Sequence, residues 1–368
     1  MTTDQPLKCP VCATPFSPGQ PHCANPDCGW PLNSGPVLGR LTPEAMQTFQ
    51  RRLAEARKAY RRKTTTELPI TLETARQVVK LKHQRIDEVR QLVLSPNGEM
   101  LAAASSSGII CYDTKDFAKI DLLKTRSEVR RVTFSPDGSF LVCSLEDKTV
   151  LLWSVSEKKQ LRTIGKHAKW VNSVAFSPTS NLIATASDDH TIRLWKVTDG
   201  LLYRTLKGHS KCVNSVAFSP DGSLLASGSD DKTVILWRIE DGAKLRTFEG
   251  HSRSVKHVAF SPDSTLIASC SGDRNVRLWN LVDDNKFFRL KGHEDWVFSA
   301  TFSPDGSLLA SASSDRTIRL WQTTDGTLIR TLHGHYNTVH SVIFTPSGKL
   351  LISGSYDGTI LLWGVRWS

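Results

Sequence analysis

The chain has 368 residues, 39% hydrophobic and 23% charged, with a net charge of +11. That balance excludes a disordered chain, and the apolar runs are too short and too often broken by polar residues to cross a membrane as helices. The opening Met1-Thr-Thr-Asp-Gln-Pro-Leu-Lys8 lacks the apolar centre of a secretory signal, so a cytoplasmic location is expected.

In chain order, the first feature is a cluster of cysteines. Cys9-Pro-Val-Cys12 and Cys23-Ala-Asn-Pro-Asp-Cys28 stand within twenty residues, while Cys111, Cys143, Cys212 and Cys270 are scattered singly. A secreted disulfide framework is not spaced this way. Residues 1–39 resemble a zinc ribbon or a pair of short zinc knuckles. The resemblance implies one structural Zn2+ on Cys9, Cys12, Cys23 and Cys28, with His22 as a rival ligand and four free thiols as the alternative. The second pair has four intervening residues where ribbons usually have two. A closed four-thiolate site has no open position for substrate.

Leu41-Thr-Pro-Glu44 is a helix start, with Thr42 as N-cap and Pro43 at the first helical position. We expect a helix over 40–63. Met46, Phe49, Leu53, Ala56 and Tyr60 make its apolar face, and Arg51, Arg52, Arg57, Lys58, Arg61, Arg62 and Lys63 make it basic elsewhere. It either lies on the ribbon or propeller with a solvated face, or touches nucleic acid, an acidic protein or a membrane surface. Residues 1–82 carry 12 Lys/Arg against 6 Asp/Glu, so the basic charge is densest there. Residues 64–76 read as an extended linker.

From about residue 77 to 368 the chain repeats. Phe-Ser-Pro or a near match recurs with its proline at 96, 136, 178, 220, 262, 304 and 346. Tryptophan follows at 153, 195, 237, 279, 321 and 363, and Tyr112 takes that place in the first copy. In the fourth copy, Val213–Phe218, Leu224–Ser229, Thr233–Arg238 and Lys244–Phe248 read as strands. They are separated by Pro220-Asp-Gly222, Asp230-Asp-Lys232 and Asp241-Gly242. Four short antiparallel strands cannot bury both faces alone, so the copies must stack.

Gly208-His209, Gly250-His251, Gly292-His293 and Gly334-His335, each 28 residues before a tryptophan, resemble WD repeats. The Asp that names those repeats is replaced by Lys196, Arg238, Asn280, Gln322 and Gly364. The near-uniform copies resemble bacterial, cyanobacterial-type members of that family. The resemblance implies an all-β, seven-bladed propeller of four-stranded antiparallel blades. It also implies a buried hydrogen-bonded set in each blade. Here that set is His167, Asp189 and Trp195; His209, Ser227, Asp231 and Trp237; His251, Asp273 and Trp279; His293, Asp315 and Trp321; His335, Asp357 and Trp363. The second blade keeps Asp147 and Trp153 but has Thr125 for His. The first has Arg85, Ser106 and Tyr112, so the set should be missing there.

The last copy ends soon after its third strand, and Gln77–Lys82 resembles Lys244–Phe248. We expect 77–82 to complete the last blade and close the ring. The residues flanking the near-constant valine of each first strand vary from copy to copy. In the WD-repeat family they rim the top face, where partners dock. This assigns Arg90, Arg130, Trp170, Asn172, Asn214, Lys256, Trp296, Phe298, His340 and Tyr356 to a partner-binding rim. The His/Asp pairs repeat around the ring, and no phosphate loop, nucleophile elbow or kinase signature is present, so no enzyme is expected. The expected function is a non-catalytic protein-interaction scaffold, a monomeric propeller within a complex. It would present its top face and a zinc-stabilised N-terminal arm to partner proteins. The alternative is a nucleic-acid-associated factor binding through the basic arm.

Overall fold

The computed structural model of the chain describes residues 69–85, 90–114, 116, 118–283 and 287–365. Cys9, Cys12, Cys23, Cys28, the basic helix over 40–63, the linker up to residue 68, Glu88 and Val89 lie outside the described residues, as does the side chain of Arg85. Seven four-stranded antiparallel sheets form the blades of a propeller. No helix among the described residues is long and apolar enough to cross a membrane.

Blade 4 shows why the sequence folds this way. Its strands are β14 (Val213–Phe218), β15 (Leu224–Ser229), β16 (Val234–Arg238) and β17 (Lys244–Phe248). The two middle strands are buried nearly throughout, whereas β17 alternates toward solvent. A strand covered on both faces needs apolar or small side chains at every position. The small residues of β15 also admit the next blade. A Cβ on Gly228 would lie 2.5 Å from Cγ1 of Val255 in blade 5. Each core cluster spans two neighbouring blades. One joins Val276, Leu278 and Leu290 of blade 5 to Val297, Phe302 and Trp321 of blade 6.

The ring closes through β1 (Val78–Arg85), which pairs antiparallel with β28 (Thr359–Val365) beside β27 (Leu350–Ser355) and β26 (Val339–Phe344). The segment before β1 differs from the extended linker expected. Ile70 donates its N–H to the Gly348 carbonyl at 2.8 Å. Thr74 Oγ1 donates to the Pro69 carbonyl at 2.7 Å and accepts from the Thr71 N–H at 2.9 Å. A single 3-10 turn, Ala75–Gln77, follows. Ile70, Ala75 and Val78 are buried with Leu361 and Trp363 in the core of blades 6 and 7. Among the described residues, packing onto the ring begins at Ile70. The polar threonines and Pro69 hide this in the sequence, because the burial comes from packing on a distant loop.

Candidate functional site: one end of the ring

In blade 4 the indole N–H of Trp237 donates to Ser227 Oγ at 2.8 Å, and Ser227 Oγ lies 2.8 Å from His209 Nε2. His209 Nδ1 lies 2.8 Å from Asp231 Oδ2. Asp231 also accepts from the N–H groups of Ser210 and Thr233, both at 3.0 Å, and from the Thr233 hydroxyl at 2.7 Å. A neutral imidazole with its proton on Nδ1 satisfies the whole relay from tryptophan to aspartate. The glycines before His209 and His335 make room for the indole. A Cβ on Gly208 would sit 2.8 Å from the Trp237 ring. The same relay runs through Thr185 in blade 3, Ser269 in blade 5, Ser311 in blade 6 and Ser353 in blade 7.

This Ser–His–Asp set has the connectivity of a hydrolase triad, but Ser227 is wholly buried and its oxygen already accepts the tryptophan proton. A nucleophile must be reachable by substrate. The set therefore ties the strands of a blade to the loop that enters it.

Two blades depart from the relay. In blade 2, Thr125 turns its hydroxyl to the Ser127 carbonyl at 2.7 Å, and Arg126 Nε donates to Asp147 at 2.8 Å. Cys143 stands in the serine's place and offers the Trp153 N–H only sulfur, a weak acceptor. In blade 1, Ala103 faces Ile110 in the register where Ser227 faces Ile235, so there is no hydroxyl for Tyr112.

These groups give the fold a pH dependence. Burial pushes His167, His251 and His293 below the usual histidine range, against the pull of their aspartates. Burial opposes ionisation of Asp189, but hydrogen bonds from Thr191 and His167 outweigh it and hold its pKa at about 2. Asp231, Asp273 and Asp315 are likewise held well below the carboxylate range. Below about pH 6.5 the unfolded chain binds protons that the folded histidines refuse. Stability should be full above that pH and fall by up to about 1.4 kcal/mol per pH unit for each such histidine. The aspartates add a second loss below about pH 4. Urea midpoints measured between about pH 8 and pH 4 check this, and a flat profile down to about pH 5 would contradict it.

The rim residues gather at the end of the ring where the first strands begin. The N–H of Asp188 bonds the Trp170 carbonyl at 2.9 Å, Ser314 bonds Trp296 at 2.8 Å, and Tyr356 bonds Thr338 at 3.0 Å. Each first strand of blades 2–7 carries a register shift around its second residue: Arg130, Asn172, Asn214, Lys256, Phe298 and His340. A β-bulge re-aims the side chain at the extra residue, so six of the ten predicted rim residues are bulge residues.

Their roles divide. Asn172 and Asn214 are stitches. Asn214 donates to Asp230 at 2.7 Å and to the Val255 carbonyl of blade 5 at 2.8 Å. Asn172 donates to Asp188 and to the Val213 carbonyl of blade 4 at 3.2 Å. Both side-chain N–H groups hold neighbouring blades together. Arg90 pairs with Glu128 and, at 3.3 Å, with Glu146, which also meets Arg130 at 3.5 Å. Trp170 remains 47% exposed and lies against Arg130, whose guanidinium is 4.5 Å from the ring centre. Trp296, 39% exposed, has the Lys256 ammonium at 5.3 Å and the Phe298 ring at 6.1 Å. Lys256 also reaches Asp230 at 3.1 Å. His340 and Tyr356 are ring neighbours at 4.8 Å, and Tyr356 is 49% exposed.

Two features escaped the sequence reading. Tyr336 is 85% exposed in the loop after His335. It is the one aromatic in a column otherwise filled by Ala168, Ser210, Ser252 and Glu294, a signal that was legible. The second is the ring formed by the third residue of each first strand: Gln91, Arg131, Ser173, Ser215, His257, Ser299 and Ser341. Ser173 Oγ accepts the Val216 N–H at 3.2 Å and Ser215 Oγ accepts the Val258 N–H at 3.1 Å, each in the next blade. A cavity of about 560 Å³ runs along the axis, lined from all seven blades and including Gln91, His257, Ser299 and Ser341. Among the described residues no group of three or more His, Cys, Asp or Glu side chains could hold a metal ion.

Comparison with known proteins agrees with this architecture. The family described as WD domain, G-beta repeat matches residues 121–154, 285–322 and 326–364. The family described as IFT122 first beta-propeller matches residues 171–287. The small ribosomal subunit protein RACK1 of Neurospora crassa is 35% identical over 82 residues, 20% of this chain and 26% of that relative. The match thus spans about a quarter of the relative's length. Seven four-stranded blades, five complete Trp–Ser/Thr–His–Asp relays and these matches describe a seven-bladed β-propeller that contains WD40 repeats.

Proposed function

We propose that this propeller is a cytoplasmic, non-catalytic scaffold whose top face binds partner proteins. The observation that carries this reading is the pair of half-exposed indoles, Trp170 and Trp296, each propped against a cation of the preceding blade. Large aromatics held in one orientation lose little entropy on binding and serve as interface anchors. Tyr336 and Tyr356 extend the same surface on blade 7. The likeness to RACK1 covers 82 residues. It does not select the ribosome as partner.

We also propose that Cys9, Cys12, Cys23 and Cys28 hold one structural Zn2+ that stabilises an N-terminal arm and gives the scaffold a second contact. Four cysteines in twenty residues supply the tetrahedral soft ligands that zinc favours.

The test uses protein purified from its own cells. The Trp170→Ala, Trp296→Ala double variant should lose partner affinity by about tenfold or more with little change in urea midpoint. Native mass spectrometry with metal analysis on the same preparation should find one zinc per chain. A partner lost on chelation would move the main contact to the arm. Co-purifying nucleic acid would replace this reading with the alternative.

A further inference from the structure

Arg131 occupies the position where blades 3, 4, 6 and 7 carry serine. It cannot accept an N–H as Ser173 and Ser215 do. Its Nε instead donates to the Asn172 carbonyl at 2.8 Å and its Nη1 to the Arg130 carbonyl at 3.0 Å. Among the described residues no carboxylate lies within ion-pair distance of it. The acids of this end are engaged elsewhere: Glu128 by Arg90, Glu146 by Arg90 and Arg130, and Asp230 by Asn214 and Lys256. Burial, with the like charges of Arg130 and Arg90, pulls its pKa down to about 10. A half-buried guanidinium answered only by carbonyls is costly to keep. It becomes favourable when an anion arrives to pair with it.

Arg131 holds the ring position that Gln91, His257, Ser299 and Ser341 hold in their own blades, and those four line the axial cavity, which places it beside that cavity. We propose that Arg131 receives the carboxylate of an acidic residue in a partner peptide lying across the top face. This rests on the top-face reading above. With Arg90 and Arg130 balanced by Glu128 and Glu146, Arg131 leaves the site one net positive charge. Burial, and then Arg131 itself, depress His257 to about 4, so it adds none near neutral pH. One guanidinium matches one carboxylate. A phosphate dianion would face Glu128 and Glu146 with too little positive charge to balance it. The propped indoles on either side, Trp170 on blade 3 and Trp296 on blade 6, seat the flanking residues of the peptide.

The experiment selects a random-peptide library on the full chain and measures the tightest binders by fluorescence anisotropy. The comparison variant is Arg131→Ser, which restores the residue four other blades carry, and an unchanged urea midpoint confirms its fold. The expected result is Asp or Glu at a fixed peptide position and a loss of about tenfold or more in affinity on Arg131→Ser. Replacing that Asp or Glu by its amide should cost the wild type the same factor and the variant nothing further. Phosphoserine binding more tightly than Glu at that position would overturn the assignment to a carboxylate. So would peptides with no fixed acid, or binding indifferent to Arg131→Ser. Peptides indifferent to Arg131→Ser but lost in the Trp170→Ala, Trp296→Ala double variant would overturn this site and leave the top-face reading standing. Peptides indifferent to both would overturn both.

Discussion

A chain that begins at residue 86 should show no cooperative unfolding transition and should aggregate, whereas one that begins at residue 69 should keep the full-length urea midpoint. The first deletion removes β1, leaving β28 with an unpaired row of backbone groups at the edge of blade 7. It also removes Ile70, Ala75 and Val78 from the core under Trp363. Burial of Ile70 and Val78 alone stabilises by about 3–6 kcal/mol. Loss of the ladder adds to that, and a whole domain has only about 5–15 kcal/mol to lose. The second deletion touches none of the core clusters of the described residues, which lie between Ile70 and Val365. A monomeric 86–368 fragment with the full-length midpoint would show that the ring closes without its clasp.

Trp321→Ala should destabilise by about 3–5 kcal/mol. The indole is 1% exposed, fills the core between blades 5 and 6, and stands edge-on to His293 at 6.2 Å. Trp321→Phe keeps most of the volume but leaves Ser311 without its donor, and should cost about 1–2 kcal/mol. Blade 2 provides the contrast. The Trp153 N–H has no hydrogen-bond partner among the described residues, so Trp153→Phe should be close to neutral. Chemical denaturation of the four proteins measures these differences. Equal costs for the two Phe variants would mean that the relay contributes little and packing alone matters.

The same residues show what a sequence reveals. The period, the blade count, the relay histidines and the strands of the fourth copy, the third of which starts at Val234 and not Thr233, are legible because each depends on local alternation and a fixed spacing. Ser227 could be placed for the same reason. The role of Asn172 and Asn214 was not legible. A bulge turns each amide toward a carbonyl of the next blade, 41 residues away. Variation between copies looks the same whether a residue meets a partner or stitches two blades. Arg131 was passed over because its column is mostly serine, and only the ring in register shows an unanswered charge among hydroxyls. The packed segment from Ile70 was hidden because its burial depends on the loop at Gly348.

The central claim is that partners dock on the end of the ring that carries Trp170 and Trp296. The most direct measurement is the affinity of the partner that co-purifies with the full chain for the wild type and for the Trp170→Ala, Trp296→Ala double variant. A loss of about tenfold or more, with urea midpoints nearly equal, is the predicted result. Unchanged affinity in a folded double variant would contradict the account and move the contact to another surface.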